Sequence, residues 1–298
     1  MLGQTKFATD GEICDKVEIA IKRIKAFEPP EGYYVAFSGG KDSQCVYHLC
    51  KMAGVKFDAH YNITSVDPPE LVRFIKKNYP DVLFERQHKK DGTPITMWSL
   101  IPDQRMPPTR IARYCCEVLK ETSGAGRFTI TGVRASESGS RRKNHGVITV
   151  PRAGKKTEQL KEELGEMGVN FTQTPRGGIV LNYDNSEQHR MTEHCIRTGK
   201  VLLNPIIDWE EEDVWEFLNT NGIEHCCLYD QGQTRLGCIG CPMGRAKGMT
   251  DDFARYPKYK ELYLRAFERM IKVREENGLK SDNFTSPEAV MQWWMGEN

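Results

Sequence analysis

Two groups of residues in this chain are spaced for chemistry. The first is the run Ser38-Gly39-Gly40-Lys41-Asp42-Ser43, which follows an apolar stretch and opens an amphipathic one. Paired glycines let successive backbone N–H groups turn inward with no β-carbon in the way, forming a nest for an anion. A helix starting just after them adds its partial positive N-terminus. Ser38 and Ser43 supply hydroxyl donors and Lys41 a full charge, while Asp42 either helps hold Mg²⁺ or caps the helix. That chemistry is phosphate binding, without the Gly-x4-Gly-Lys-Ser/Thr spacing of a Walker A loop.

The second group is sulfur. Of ten cysteines, several fall in pairs: Cys115-Cys116, Cys226-Cys227 and Cys238-Ile239-Gly240-Cys241. Such clustering is unlike a secreted disulfide framework and points, in a reducing compartment, to metal or redox chemistry. A Cys-x2-Cys turn sets two thiolates at one corner of a metal or cluster, and a distant pair can complete a tetrathiolate site. Side chains of adjacent cysteines diverge, which suits a four-iron cluster better than one zinc ion. Zinc and reduced structural thiols stay open as alternatives. Cys226-Cys227 could replace Cys115-Cys116 or lend one sulfur. Cys45 and Cys50 read as small core residues, and Cys14 and Cys195 carry no usable signal.

The elements that must position these residues follow from periodicity. Ile13, Val17, Ala20, Ile21 and Ile24 predict a helix over 11–26. Strands are expected at 33–37, 57–63, 82–84 and 127–133, and helices at 42–53, ending near Gly54, and 68–78. This alternation predicts an α/β fold, a doubly wound parallel sheet covered on both faces, with ligands beyond the carboxyl ends of the strands. Residues 151–199 break the rhythm and read as an inserted small subdomain, with a charged helix at 157–167 and a short strand at 179–181. A helix over 208–219 has Asp208 as its expected N-cap with Glu211 in a capping-box-like place, burying Val214, Trp215 and Leu218. A long amphipathic helix is expected over 252–277. The domain reading is 1–250 for the nucleotide-binding domain with its insertion, and 251–298 for a helical C-terminal extension.

Composition narrows the class. The chain has 298 residues, 39% hydrophobic and 28% charged, with a formal net charge of +1, ordinary for a soluble globular protein. No apolar run approaches the roughly 20 residues of a membrane span. Met1 to Asp10 is polar, so a cytoplasmic protein is expected. Arg134, Arg141, Arg142, Lys143, Arg152, Lys155, Lys156 and Lys161 face only Glu137 and Glu158. This basic run either meets phosphates of a nucleotide or nucleic acid or is a solvated face.

Several of these segments resemble one superfamily. Ser38 to Ser43 resembles the Ser-Gly-Gly-x-Asp-Ser signature of PP-loop ATP pyrophosphatases and sulfonucleotide reductases. Gly132-Val133-Arg134-Ala135-Ser136-Glu137-Ser138, with Arg141 and Arg142, resembles the Gly-x-Arg-x-x-Glu-Ser…Arg segment of the PAPS reductase family. Pro205 to Trp215 is similar to its Pro-x-x-x-Trp…Asp-Val-Trp stretch. Cys115-Cys116-x3-Lys120, followed by Cys238-x2-Cys241, resembles the [4Fe-4S] pattern of adenylylsulfate (APS) reductases, and related patterns occur in Dnd- and Ssp-type DNA phosphorothioation enzymes. The resemblance runs from about Tyr33 to Gly244, apart from the insertion, and implies an adenine nucleotide alpha hydrolase-like fold. It also implies nucleotide contacts from Ser38, Gly39, Gly40, Lys41, Asp42, Ser43, Asp67, Gly132, Arg134, Arg141 and Arg142. Lys41, Asp42 and Arg134 would act in catalysis, Cys115, Cys116, Cys238 and Cys241 would ligate a [4Fe-4S] cluster, and Lys120 would sit near it.

A sulfonucleotide reductase of this kind also carries a nucleophilic cysteine in a late Glu-Cys-Gly-x-His type segment, and here no cysteine follows Cys241. The expectation is therefore an ATP pyrophosphatase-type enzyme that uses ATP and Mg²⁺ to adenylate an acceptor for sulfur transfer, as in DNA phosphorothioation. The resemblance implies a nucleic acid acceptor, a sulfur donor such as a cysteine desulfurase, and a homodimer as partners, with no membrane. A DNA backbone phosphate, a tRNA base carbonyl and a small molecule all stay open as acceptors. A sulfonucleotide reductase using Cys226 or Cys227, and a nonenzymatic nucleotide or redox sensor, are the alternatives.

Overall fold

The computed structural model describes residues 6–9, 12–124, 126–151, 155–166, 170–175, 177–181 and 201–296. In chain order the strands are β1 (Lys6–Thr9), β2 (Glu12–Asp15), β3 (Tyr33–Ala36), β4 (Phe57–Asn62), β5 (Leu83–Glu85), β6 (Phe128–Ile130), β7 (Ile148–Val150), β8 (Thr172–Gln173), β9 (Ile179–Leu181) and β10 (Val201–Leu203). The α-helices are α1 (Lys16–Ala26), α2 (Lys41–Ala53), α3 (Pro69–Asn78), α4 (Met97–Gln104), α5 (Tyr114–Cys116), α6 (Gly139–Asn144), α7 (Lys155–Glu166), α8 (Glu211–Thr220), α9 (Arg245–Arg255), α10 (Pro257–Glu276) and α11 (Pro287–Met295).

Eight strands form one sheet in the order β5-β4-β3-β6-β10-β7-β9-β8. β3 pairs in parallel with β4 on one side and β6 on the other, and β6 pairs in parallel with β10. Tyr33, Tyr34 and Val35 are all buried, as expected of a central parallel strand covered on both faces. Because the chain leaves β3 towards one side and later returns to the other, the carboxyl end of β3 is a topological switch point, where such sheets bind ligands. The far edge departs from the all-parallel expectation: β7, β9 and β8 join antiparallel. Within the expected insertion, β8 and β9 thus extend the main sheet, and residues 182–200, with Cys195, lie outside the described residues.

Three expected helix limits are corrected. Residues before Lys16 pair as the β1–β2 hairpin, and α1 starts only where the Asp15 side chain accepts the Val17 N–H at 2.8 Å. Asp208 does not cap α8. Its carboxylate instead takes both terminal nitrogens of Arg23 at 2.9 Å, and Glu210 is the N-cap, paired with Asp213 in a capping box. The single helix expected over 252–277 is two, α9 and α10, because Pro257 pushes Tyr256 out of the helical region, to φ −124 and ψ 65.

The chain divides into two compact, interleaved units. The first comprises residues 1–61, 74–83 and 124–227, and is built on the strands around β3, with Phe128, Ile130, Leu203, Val46 and Leu49 in its core. The buried ion pair of Lys16 with Asp213 joins α1 to α8 within it. The second comprises residues 62–73, 84–123 and 228–298. Its core is an aromatic stack around Tyr263, whose ring centroid lies 5.7 Å from Phe253, 5.1 Å from Trp98 and 4.8 Å from Trp294. Among the described residues no helix is long and apolar enough to cross a membrane.

Candidate phosphate loop and cysteine pocket

The phosphate loop lies in the first unit, between β3 and α2. The turn closes on its own hydroxyls: Ser38 N–H donates to Ser43 Oγ at 3.2 Å, and Ser43 Oγ donates to the Gly40 carbonyl at 2.8 Å. Gly39 takes φ +73, in the left-handed region that favours glycine. Gly40 is the N-cap of α2 and brings no side-chain cap. A helix start whose N-cap is glycine, with no capping side chain over it, is suited to an anion.

Charge converges on this turn. Lys41 is 3% exposed, and its ammonium lies 3.6 Å from Glu211 Oε1. Asp42 is the second residue of α2 and does not cap it; its Oδ1 accepts from Arg134 Nε at 2.6 Å. Arg134 is itself 3% exposed and donates from Nη1 to Ser136 Oγ at 3.0 Å. Its approach needs Gly132, since a Cβ there would sit 2.7 Å from the Asp42 carbonyl carbon. Lys41, Asp42 and Arg134 are thus gathered at one loop. Arg141 stands on α6, 3.4 Å from Glu137, and Arg142 is exposed on the same short helix. Asp67 belongs to the second unit, where its carboxylate accepts the Thr64 N–H at 2.8 Å.

The second unit holds the sulfur site. Cys115, Cys116, Cys238 and Cys241 line one pocket together with Thr64, Lys120 and Tyr263. Neither Cys226 nor Cys227 is among its lining residues. Cys115 and Cys116 project from α5, which runs on as a π-helical turn over Glu117–Glu121. The π-helical turn begins directly after the two cysteines, an irregularity of the kind often found at functional sites. The Cys238–Cys241 turn is locked from three sides: Ile239 N–H donates to the Val66 carbonyl at 2.7 Å, Tyr263 Oη donates to the Ile239 carbonyl at 3.0 Å, and Gly240 N–H donates to Asp252 at 2.8 Å. Gly240 sits at φ +69, and a Cβ there would fall 2.7 Å from the Phe253 ring.

The pocket separates its thiols electrostatically. Cys116 is held below the usual thiol range by a hydrogen bond with Cys115 and by the charges of Arg113 and Lys120. That same bond, with burial, pushes Cys115 up. Burial also raises Cys238, against the pull of Lys120. Lys120 in turn is held above its ordinary range chiefly by Cys238, with Asp67 and Cys116 adding to it. Sequence reasoning missed Arg113, whose Nη2 reaches Cys116 Sγ at 3.4 Å; an arginine two residues before a Cys-Cys pair was the available signal. It also missed Tyr263, which no local pattern marks.

Among the described residues no three His, Cys, Asp or Glu side chains converge on a point that would hold a single metal ion. A mononuclear zinc ion needs four ligand atoms about one centre, whereas a polynuclear cluster takes one thiolate at each of several corners. An all-cysteine donor set lining one pocket, beside cations that favour thiolate, is chemically suited to a thiolate-bound metal group.

An α/β sheet with a glycine turn at its switch point is the architecture in which nucleotide sites are commonly found. Residues 32–244 match the phosphoadenosine phosphosulfate reductase domain, and the chain belongs to that family. It is 23% identical over 257 residues to an uncharacterised protein of Methanocaldococcus jannaschii, covering 83% of this chain and 48% of that protein. An uncharacterised protein of Escherichia phage 186 is 27% identical over 173 residues, 57% of this chain and 41% of its own length. A phosphoadenosine 5'-phosphosulfate reductase of Salmonella newport is 28% identical over 101 residues, 34% of this chain and 40% of that enzyme. The chain therefore spans about half or less of the length of these relatives.

Proposed function

We propose that this chain binds ATP at the Ser38–Ser43 loop and adenylates an acceptor for sulfur transfer, with nucleic acid as the acceptor class. The observation that carries the reading is the glycine turn into α2, with buried Lys41 and the Asp42–Arg134 pair beside it. An acceptor oxygen attacks the α-phosphorus of ATP, and the bond to the bridging oxygen of the β-phosphate breaks. Pyrophosphate leaves against the loop N–H groups and Lys41, which hold its growing charge. A sulfur nucleophile then bonds to the activated acceptor atom as AMP departs with the electron pair. Arg134 orients Asp42 through one carboxylate oxygen, and the other is the group this reading assigns to Mg²⁺, which would supply charge neutralisation on the phosphates. Cys115, Cys116, Cys238 and Cys241 are the residues that would hold a [4Fe-4S] cluster, whose chemistry when bound is redox or sulfur handling at the pocket.

One observation favours a second reading, sulfonucleotide reduction: the likeness to the Salmonella newport reductase. That reaction needs a thiol nucleophile. Exposed Cys227 is the thiol the reductase reading would have to use. Product analysis separates the two. Anaerobic protein given MgATP, a persulfide source and nucleic acid is expected to yield AMP and thiolated polymer, and Lys41→Ala to yield neither. Sulfite from a sulfonucleotide and a thiol reductant, with no AMP from ATP, would select the reductase.

A further inference from the structure

We propose that the second unit carries a docking face for a single-stranded nucleic acid, built from one face of α10 and the aromatic residues beside it. Lys258, Arg265, Arg269 and Lys272 are spaced seven, four and three residues apart, which places them in one row along the helix. All four are exposed, and the row spans about 21 Å at 1.5 Å per residue. Arg269 ties this row to Trp98 by donating to its carbonyl at 3.1 Å.

Half-buried rings border the row. The centroid of Trp98 lies 6.4 Å from that of Tyr259, which lies 6.0 Å from that of Tyr256. The hydroxyl ends of both tyrosines are fixed, Tyr259 donating to the Asp67 carbonyl at 3.2 Å and Tyr256 to Glu70 at 3.0 Å. Each ring is thus held in place with part of its surface in solvent. A row of cations to track phosphates, next to fixed aromatic surface on which unpaired bases stack, is what sequence-tolerant single-strand binding requires. A duplex buries its base faces and leaves the rings without a partner. Glu261 and Glu268 lie one row over, and Glu268 holds Lys272 at 3.0 Å, so Lys258 and Arg265 carry the larger share of phosphate contact.

The inference rests on the proposed nucleic acid acceptor, and it adds where the strand lies. Its test is fluorescence anisotropy of the full chain with a fluorescein-labelled, mixed-sequence DNA strand of about 12 nucleotides, titrated at several salt concentrations. Lys258→Ala/Arg265→Ala is expected to reduce the slope of log K against log salt by about 1.4, since each phosphate contact on a single strand contributes about 0.7. Trp98→Leu should weaken binding at least about fivefold with the slope unchanged, the effect of losing one stacking surface, while Trp98→Phe should restore most of it. Circular dichroism melts establish that each variant is folded. Two results would overturn the assignment: unchanged binding in the α10 pair with loss in Arg141→Ala/Arg142→Ala, or tighter binding of the duplex than of either strand. Pyrophosphate release from MgATP is followed in the same variants. Normal release without strand binding sinks this docking face alone, and strand binding without any ATP turnover sinks the ATP reading alone.

Discussion

The Asp42–Arg134 pair gives the phosphate loop its shape as well as its charge. The two side chains are 24% and 4% exposed, so removing either partner strands the other in a poorly solvated place. Arg134→Ala is expected to cost about 3 kcal/mol, the low end for breaking a buried pair, and Asp42→Ala a similar amount. The double variant should lose clearly less than the sum, and a double-mutant cycle by urea denaturation checks this. Strict additivity would mean the pair is not coupled. Gly132→Ala tests the same contact from the backbone side. Its Cβ would lie 2.7 Å from the Asp42 carbonyl carbon, so a loss of about 1–3 kcal/mol from overpacking is expected, with nucleotide affinity falling alongside. The loop motif was readable because glycine and serine spacing is a local property. The partnership of Asp42 with Arg134, 92 residues away in sequence, was not: it depends on β6 returning beside β3, so the sequence alone offered Mg²⁺ ligation or helix capping for Asp42.

At the scale of elements, side chains fix where strands and turns meet. Arg127, just before β6, donates twice to Asp58 on β4 at 2.5 Å and once to the Gly32 carbonyl at 3.1 Å. Burial works against ionisation of Asp58, but its hydrogen bonds with Arg127 and His60 outweigh it and hold the carboxyl below its ordinary range. Folding therefore gains from ionised Asp58 above the ordinary aspartate pKa of about 3.9, and loses that gain as pH falls through the lowered value. Thermal melts of Asp58→Asn should be less stable at neutral pH and show a flatter fall below about pH 4; an acid limb identical to wild type would sink the linkage. Gly240→Ala strains the Cys238–Cys241 turn twice, through its positive φ and through Phe253. The variant is expected to lose about 1–3 kcal/mol and, on the proposed cluster reading, most of the iron the wild type would retain on anaerobic purification; equal iron in both would contradict the turn's role in placing Cys241. The strands were legible as short apolar runs, whereas the α9–α10 break was present in the sequence as Pro257 and was passed over because the amphipathic spacing continues across it.

At the scale of the molecule, the two sets of chemically spaced residues belong to different units whose segments alternate along the chain. Linear reading divides a chain at composition shifts, and no such shift marks residues 62, 84 or 228: two of these boundaries fall inside strands, at the last residue of β4 and within β5. The parallel half of the sheet followed from alternation of strands and helices. Its antiparallel edge did not, because β7, β8 and β9 are two or three residues long and leave almost no period to read. Residues 32–244 place the chain in the phosphoadenosine phosphosulfate reductase family, and the central proposal is about which bond of a nucleotide it breaks. The most direct measurement is a single-turnover reaction of the anaerobically purified chain with MgATP labelled at the α- or γ-phosphate, in the presence of single-stranded nucleic acid and a persulfide source. The account predicts label in AMP from the first and in pyrophosphate from the second, with both lost in Lys41→Ala. Label released from the γ-position as orthophosphate, or no cleavage at all while a sulfonucleotide is turned over to sulfite, would contradict it.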